Sequence, residues 1–145
     1  MEFAGEWYLC RDATVRPIIR LRMRAVDGTF QAEYFLIDTG ADRTVLSAAF
    51  WQRLQLPALG PPASSLSGIG GPGSSILVTS VLQLTSIDGH EITVPGDFAA
   101  FTNPADSEYS LLGRDLLRSF DLIVSREEGP IRLLAEVHSY QVVSP

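Results

Sequence analysis

Asp38, Thr39 and Gly40 are the residues of this chain whose types and spacing could do chemistry. A carboxylate can take up or give back a proton near mildly acidic pH, and a neighbouring hydroxyl can lock a turn by hydrogen bonding. Glycine lets the backbone turn sharply and bares N–H groups beside the acid. The triplet closes the apolar run Tyr34-Phe35-Leu36-Ile37, which suits a strand buried on both faces and would carry the carboxylate into or beside the core. A buried acid is costly unless something uses or satisfies it. Two readings therefore stand at this point: an acid–base catalyst, or an ordinary Asx-type turn at a strand end.

The elements that must position this loop can be read on either side of it. Ile19, Leu21, Met23 and Ala25 alternate with Arg20, Arg22 and Arg24, and Asp27-Gly28 predicts a two-residue hairpin turn. The return strand runs from Thr29 into Asp38. Pairing about that turn sets Ala25 opposite Phe30, Met23 opposite Ala32 and Leu21 opposite Tyr34, with Arg22 meeting Glu33 on the other face. Beyond the loop, Thr44-Val45-Leu46 reads as a short strand, and Ser47 caps a brief helix carrying Phe50, Trp51 and Leu54 that ends before Pro57, Gly60, Pro61 and Pro62.

The glycine-rich stretch Leu66 to Gly73 has an apolar residue, Ile69, at its centre and suits a mobile hairpin lid. A phosphate-cradling loop of the Walker type needs a lysine, and the chain has none. Residues 75–101 alternate around a second pair, Asp88-Gly89, which predicts further hairpins with His90 as an exposed turn residue. Leu112, Leu116, Leu117 and Phe120 share one helical face with Asp115 in the first turn, which predicts a helix. Asp121–Val124 and Ile131–Glu136 read as a hairpin across Glu127-Glu128-Gly129-Pro130. Residues 1–15 are open between a short strand and a terminal arm.

A length of 145 residues with 46% hydrophobic content suits one domain with a real core, spanning 1–145 with the core at about 16–136 and a polar tail at 137–145. Eleven basic residues, all arginine, face 17 acidic ones for a net charge of −6, which gives no nucleic-acid surface. Arg20, Arg22 and Arg24 sit at alternate positions and read as the solvated face of a strand. Cys10 is the single cysteine and has no partner at disulfide or metal-ligand spacing. No leader-like start and no run approaching ~20 apolar residues is present, so the expectation is a cytosolic chain without a membrane segment, or one domain of a longer protein.

Three features in this order resemble the retropepsin-like aspartic proteases of retroviruses and their cellular and bacterial relatives. Phe35 to Asp42 is similar to the catalytic strand and loop, Gly68-Ile69-Gly70-Gly71 to the flap tip, and Leu111-Leu112-Gly113-Arg114-Asp115 to the segment entering the family's helix. The resemblance implies a mostly β fold, a closed barrel with a flap hairpin and one short C-terminal helix. With a single Asp-Thr-Gly, it also implies a homodimer in which one Asp38 from each subunit meets at a two-fold axis. Two carboxylates about 3 Å apart repel by on the order of 5 kcal/mol at an effective dielectric of ~20, so such a pair keeps one proton over a range of mildly acidic pH, as is known for aspartic proteases.

By the same resemblance, Asp38, Thr39 and Gly40 form the catalytic loop, while Ala41, Asp42, Gly68, Ile69, Gly70 and Gly71 contact an extended peptide. Arg114, paired with Asp42, and Gly113 support the site. No cofactor or metal is implied. The chain departs from the compact viral pattern in its extra length between acid and flap and in about 25 residues after the helix, which the dimer interface must accommodate. A non-catalytic peptide-binding or dimerisation module on the same fold is the alternative. A phosphotransfer enzyme with Asp38 as nucleophile would need a second acid two residues on, where the chain has Gly40.

Overall fold

The computed structural model describes residues 1–60, 66–68, 71–73 and 75–135, and it is mostly strand. In chain order the elements are β1 (Glu2–Leu9), β2 (Val15–Arg24), β3 (Phe30–Ile37), β4 (Val45–Leu46), α1 (Ala48–Leu54), β5 (Leu66–Gly68) and β6 (Gly71–Gly73). They continue with β7 (Ser75–Thr85), β8 (Glu91–Phe101), β9 (Ser110–Leu112), α2 (Arg114–Leu117), β10 (Asp121–Val124) and β11 (Ile131–Leu134). Nine strands form one sheet in the order β10-β11-β1-β2-β3-β9-β4-β8-β7, and β7 also bonds back to β2 through Arg22–Gln83 and Met23–Leu82. Among the described residues β5 and β6 pair only with each other. The N-terminal stretch left open above holds β1, which joins β2 to β11.

The alternation of β2 does what its pattern dictates: Ile19, Leu21 and Met23 are buried, while Arg20, Arg22 and Arg24 face solvent. The register differs from the expected one by one residue. Arg24 lies opposite Phe30, Met23 opposite Gln31, Arg22 opposite Ala32 and Leu21 opposite Glu33. The cause is the turn. Only Gly28 takes a positive φ (86°), so Asp27-Gly28 cannot form a two-residue turn that needs both residues left-handed. Instead the loop has three residues, with Gly28 N donating to Ala25 O (3.0 Å) and Ala25 N to Thr29 O (2.7 Å). The Thr29 hydroxyl and backbone N–H bond to Asp27 and hold its carboxyl below the usual range.

The shifted register moves Glu33 away from Arg22 and to the face of Leu21. There Arg53 of α1 pairs with Glu33 at 2.9 Å, and Arg22 lies over the Phe30 ring instead, 5.9 Å from its centroid. The second Asp-Gly pair closes β7 onto β8 with the same loop geometry, Gly89 at φ 88° and Ser86 N donating to His90 O at 2.7 Å. His90 is exposed, as expected of a turn residue.

Both helices expected from the sequence are present, and both are short. Ser47 caps α1 by accepting from Phe50 N at 3.2 Å, and α1 buries Ala48, Phe50 and Leu54. α2 is a single turn, because Leu112 is held in β9 opposite Ile37 and Asp121 opens β10. Leu112 is therefore buried as a strand residue, not as part of a helical face. The C-terminal hairpin follows its pattern, Asp121 opposite Leu134 through Val124 opposite Ile131. No helix among the described residues is long and apolar enough to cross a membrane.

The core gathers Leu21, Met23, Phe35, Leu46, Phe50, Leu82, Leu112 and Leu133 between the sheet and α1. Phe35 and Phe50 meet edge to face, with centroids 6.1 Å apart and planes at 89°. Phe50→Ala is expected to destabilise the fold by about 3–5 kcal/mol. Val26→Thr, on a residue 57% exposed in the turn, should stay within about 0.5 kcal/mol. Urea unfolding followed by tryptophan fluorescence measures both.

Candidate active site

Asp38 sits one residue beyond β3, where that strand runs parallel to β9 with Phe35 opposite Ser110, Leu36 opposite Leu111 and Ile37 opposite Leu112. Asp38 N donates to Leu112 O at 3.1 Å and extends this ladder by one bond. The backbone of the acid is therefore fixed by a strand from far along the chain, while its side chain is only partly buried.

The loop then turns tightly. Ala41 N donates to Asp38 O (3.2 Å), and Gly40 N donates to Asp38 Oδ1 (3.0 Å). This is the Asx-type turn of the simpler reading, and it occupies one carboxylate oxygen and leaves the other without a hydrogen bond among the described residues. Turn and chemistry are thus compatible. Thr39 and Gly40 are exposed, and the Thr39 hydroxyl has no partner among the described residues.

The far side of the loop is bolted to α2. Arg114 N donates to Ala41 O (2.9 Å) and Asp115 N to Asp42 O (3.2 Å). The Arg114 guanidinium pairs with Asp42 through Nη2 and Oδ1, both side chains being mostly exposed at 61% and 77%. At that exposure the pair contributes at most about 1 kcal/mol.

The stronger clamp was not legible in the sequence. Asp115 Oδ1 accepts from Thr44 N (2.9 Å), Thr44 Oγ1 (2.8 Å) and Leu116 N (2.9 Å). Thr44 is fully buried, and its hydroxyl accepts in turn from Gly113 N at 3.1 Å. Gly113 is required here for close approach, since a Cβ at that position would lie 2.3 Å from Arg43 C and O. Charge-assisted bonds in a shielded setting are roughly twice as strong as neutral ones. Asp115 therefore does more than complement the dipole of a helix. The only sequence signal was its proximity to Gly113-Arg114; nothing in its spacing points to Thr44.

Of the residues expected at the lid, Gly68 pairs with Gly71 across β5 and β6, whereas Ile69 and Gly70 lie outside the described residues. The structure thus brings together Asp38, Thr39, Gly40, Ala41, Asp42, Gly113 and Arg114 in one cluster. Beside the loop, Val45, Ala99 and Phe101 with the half-buried Leu77 and Leu111 form a small apolar cluster separate from the main core.

Residues 25–119, well over half of the chain, match the family model described as "gag-polyprotein putative aspartyl protease". No curated protein matches the chain. Among solved structures, a retropepsin-like aspartic protease from Rickettsia conorii is similar with a TM-score of 0.55 and 18% identity, covering 92% of this chain and 98% of that one. The EIAV protease complexed with the inhibitor HBY-793 is similar with a TM-score of 0.51 and 22% identity, covering 71% of this chain and 86% of that one.

The two supports of the loop should separate on mutation. Thr44→Val leaves Asp115 and Gly113 N short of partners in a buried setting and is expected to lower stability by about 1–3 kcal/mol. Asp42→Asn should cost less than about 1 kcal/mol. Chemical denaturation of the two variants beside the parent protein gives the comparison.

Proposed function

The chain belongs to the gag-polyprotein aspartyl protease family and has a retropepsin-like fold, and from that premise we propose that it is an aspartic endopeptidase that works as a homodimer on extended polypeptide segments. The observation that carries this reading is the loop of Asp38. Its backbone is clamped from two sides, and one carboxylate oxygen is left without a hydrogen bond among the described residues. A group held this way is poised for proton transfer and does not itself stabilise the core.

One chain supplies one Asp-Thr-Gly, so the second carboxylate comes from another copy related by a two-fold axis. The exposure of Thr39 and Gly40 in the single chain supports this, because a hydroxyl without a partner among the described residues and an open backbone suit contact across such an axis. In the dimer, the ionised Asp38 takes a proton from a water held between the two acids. That water attacks the peptide carbonyl, and the protonated Asp38 donates to the carbonyl oxygen. No covalent intermediate with the enzyme forms.

The remaining roles follow. Thr39 bonds across the axis, and Gly40 admits the substrate backbone where a larger residue would crowd it. Ala41 and Asp42 offer backbone and side-chain contacts to the peptide. The β5–β6 pair carries the flap, with Gly68 to Gly71 closing over an extended segment in β fashion. The return pairing of β7 to β2 supports closure of the sheet into a barrel beneath it. Leu77 and Leu111, half-buried beside the loop, supply an apolar wall for side chains near the scissile bond.

Digestion of a diverse peptide mixture from about pH 4 to about pH 7, read by mass spectrometry, tests the reading. New termini are expected from the parent protein and none from Asp38→Asn, with both sedimenting as dimers. Cleavage retained by Asp38→Asn would sink the proposal, as would a stable dimer of the parent that binds peptide and leaves it intact. Subunit mixing tests the shared site directly. Adding one equivalent of Asp38→Asn and allowing exchange should lower activity per parent chain to about half, whereas chains acting singly would be unaffected.

A further inference from the structure

An open cleft of about 400 Å³ lies between β1, β3 and the loop that precedes β9. Its lining includes Tyr8, Tyr34 and Tyr109 together with Glu33, Glu108 and Arg11. The tyrosines form one cluster: Tyr8 and Tyr34 are tilted at 31° with centroids 5.6 Å apart, and Tyr8 and Tyr109 meet edge to face at 6.3 Å. The Tyr109 hydroxyl accepts from Arg11 N at 3.3 Å. The hydroxyls of Tyr8 and Tyr34 have no partner among the described residues, and those side chains belong to residues 37% and 39% exposed.

The position of this cluster connects it to the acid. Tyr34, Leu36 and Asp38 alternate along one strand direction and so project to the same side, with Tyr34 about 13 Å from Asp38 along the backbone. An extended peptide spans that distance in three to four residues. The cleft is thus within reach of a substrate whose scissile bond lies at Asp38, beyond the apolar wall next to the loop.

Its chemistry favours one kind of side chain. Aromatic faces carry negative quadrupole potential, and Glu33 and Glu108 add carboxylate acceptors to the lining. Glu108 is tied to Arg11 at 2.8 Å, and Glu33 to Arg53 at 2.9 Å and to Tyr34 N at 2.9 Å, which fixes both acids beside the rings. The chain as a whole carries a net charge of −6. A planar guanidinium can stack on a tyrosine and still donate to phenol and carboxylate oxygens at its rim.

We propose that the Tyr8–Tyr34–Tyr109 cleft is a distal specificity subsite that selects an arginine side chain three or four residues from the scissile bond. The proposal rests on the protease reading for its substrate and on the cleft alone for its ligand, so two measurements keep them apart. In the first, kcat/KM is compared for matched peptides carrying arginine or citrulline at each distal position, citrulline having the same shape without the charge. The parent protein should prefer arginine at one position by about tenfold, and Tyr34→Leu and Glu108→Gln should bring that ratio to within about twofold. Equal rates for arginine and citrulline, or selection of phenylalanine or proline at that position, would overturn it.

In the second, Asp38→Asn with 13C-labelled tyrosine rings is titrated with N-acetyl-arginine amide and followed by NMR. Ring signals of Tyr8, Tyr34 and Tyr109 are expected to shift, and N-acetyl-citrulline amide should leave them in place. No shift with the arginine amide removes the subsite even if peptides are cleaved. A shift that only arginine causes, alongside a parent protein that cleaves no peptide in the mixture, would uphold the subsite and remove the protease reading.

Discussion

The parallel pairing of β3 with β9 is the constraint on which the rest of this molecule depends. It brings the segment ending at Leu112 beside the segment ending at Ile37 and fixes the backbone of Asp38 through a bond to Leu112 O. Parallel neighbours require a long connection between them, and here it contains β4, α1, β7 and β8. Most of the fold can be seen as the means of returning the chain to that one contact. Once it returns, Gly113 turns it beneath the loop, and Thr44 and Asp115 tie the two segments together.

The sheet makes that contact rigid rather than incidental. β2 is bonded to β1, β3 and β7, so the strand that carries the acid leans on the most connected strand of the sheet. From the other side α1 covers the core face of β3, with Phe50 against Phe35 and Arg53 reaching Glu33. Both long hairpins close through loops with a single left-handed glycine, Gly28 and Gly89, which fix register at the cost of only one unusual backbone conformation each. A slip of one residue in β3 would turn Asp38 to the opposite face.

What could be read from the sequence was local, and what could not was long-range. The Asp38 loop, the alternation of β2, the Ser47 cap and the Asp-Gly turns are patterns of neighbours, and each is present. The β2–β3 register was misjudged because Asp-Gly marks a turn without stating its length; the φ of Asp27 decides that, and its identity does not. α2 proved shorter than its apolar spacing suggested because Leu112 satisfies the helical pattern and the β9 pairing equally, and a partner from the other half of the chain settled the competition. Thr44 and Asp115 are 71 positions apart, and Tyr8, Tyr34 and Tyr109 come from three separate elements. No periodicity links such residues before the chain folds.

The Asp38 loop also divides its duties by side. Toward solvent it presents Asp38, Thr39, Gly40 and the Asp42–Arg114 pair, groups whose interactions are screened by water and contribute little to stability. Toward the interior it presents the buried Thr44 and Gly113 and the partly buried Asp115, joined by hydrogen bonds through Thr44 Oγ1 and Asp115 Oδ1. The costly step for any catalytic acid is desolvation, and a single chain avoids most of it by leaving Asp38 half in water. The chain can therefore fold without completing its site. In the proposed homodimer, desolvation of Asp38 falls on assembly, where a second copy covers the exposed side and supplies the other acid. Folding and activation then draw on different contacts of the same loop, and a change that weakens one need not weaken the other.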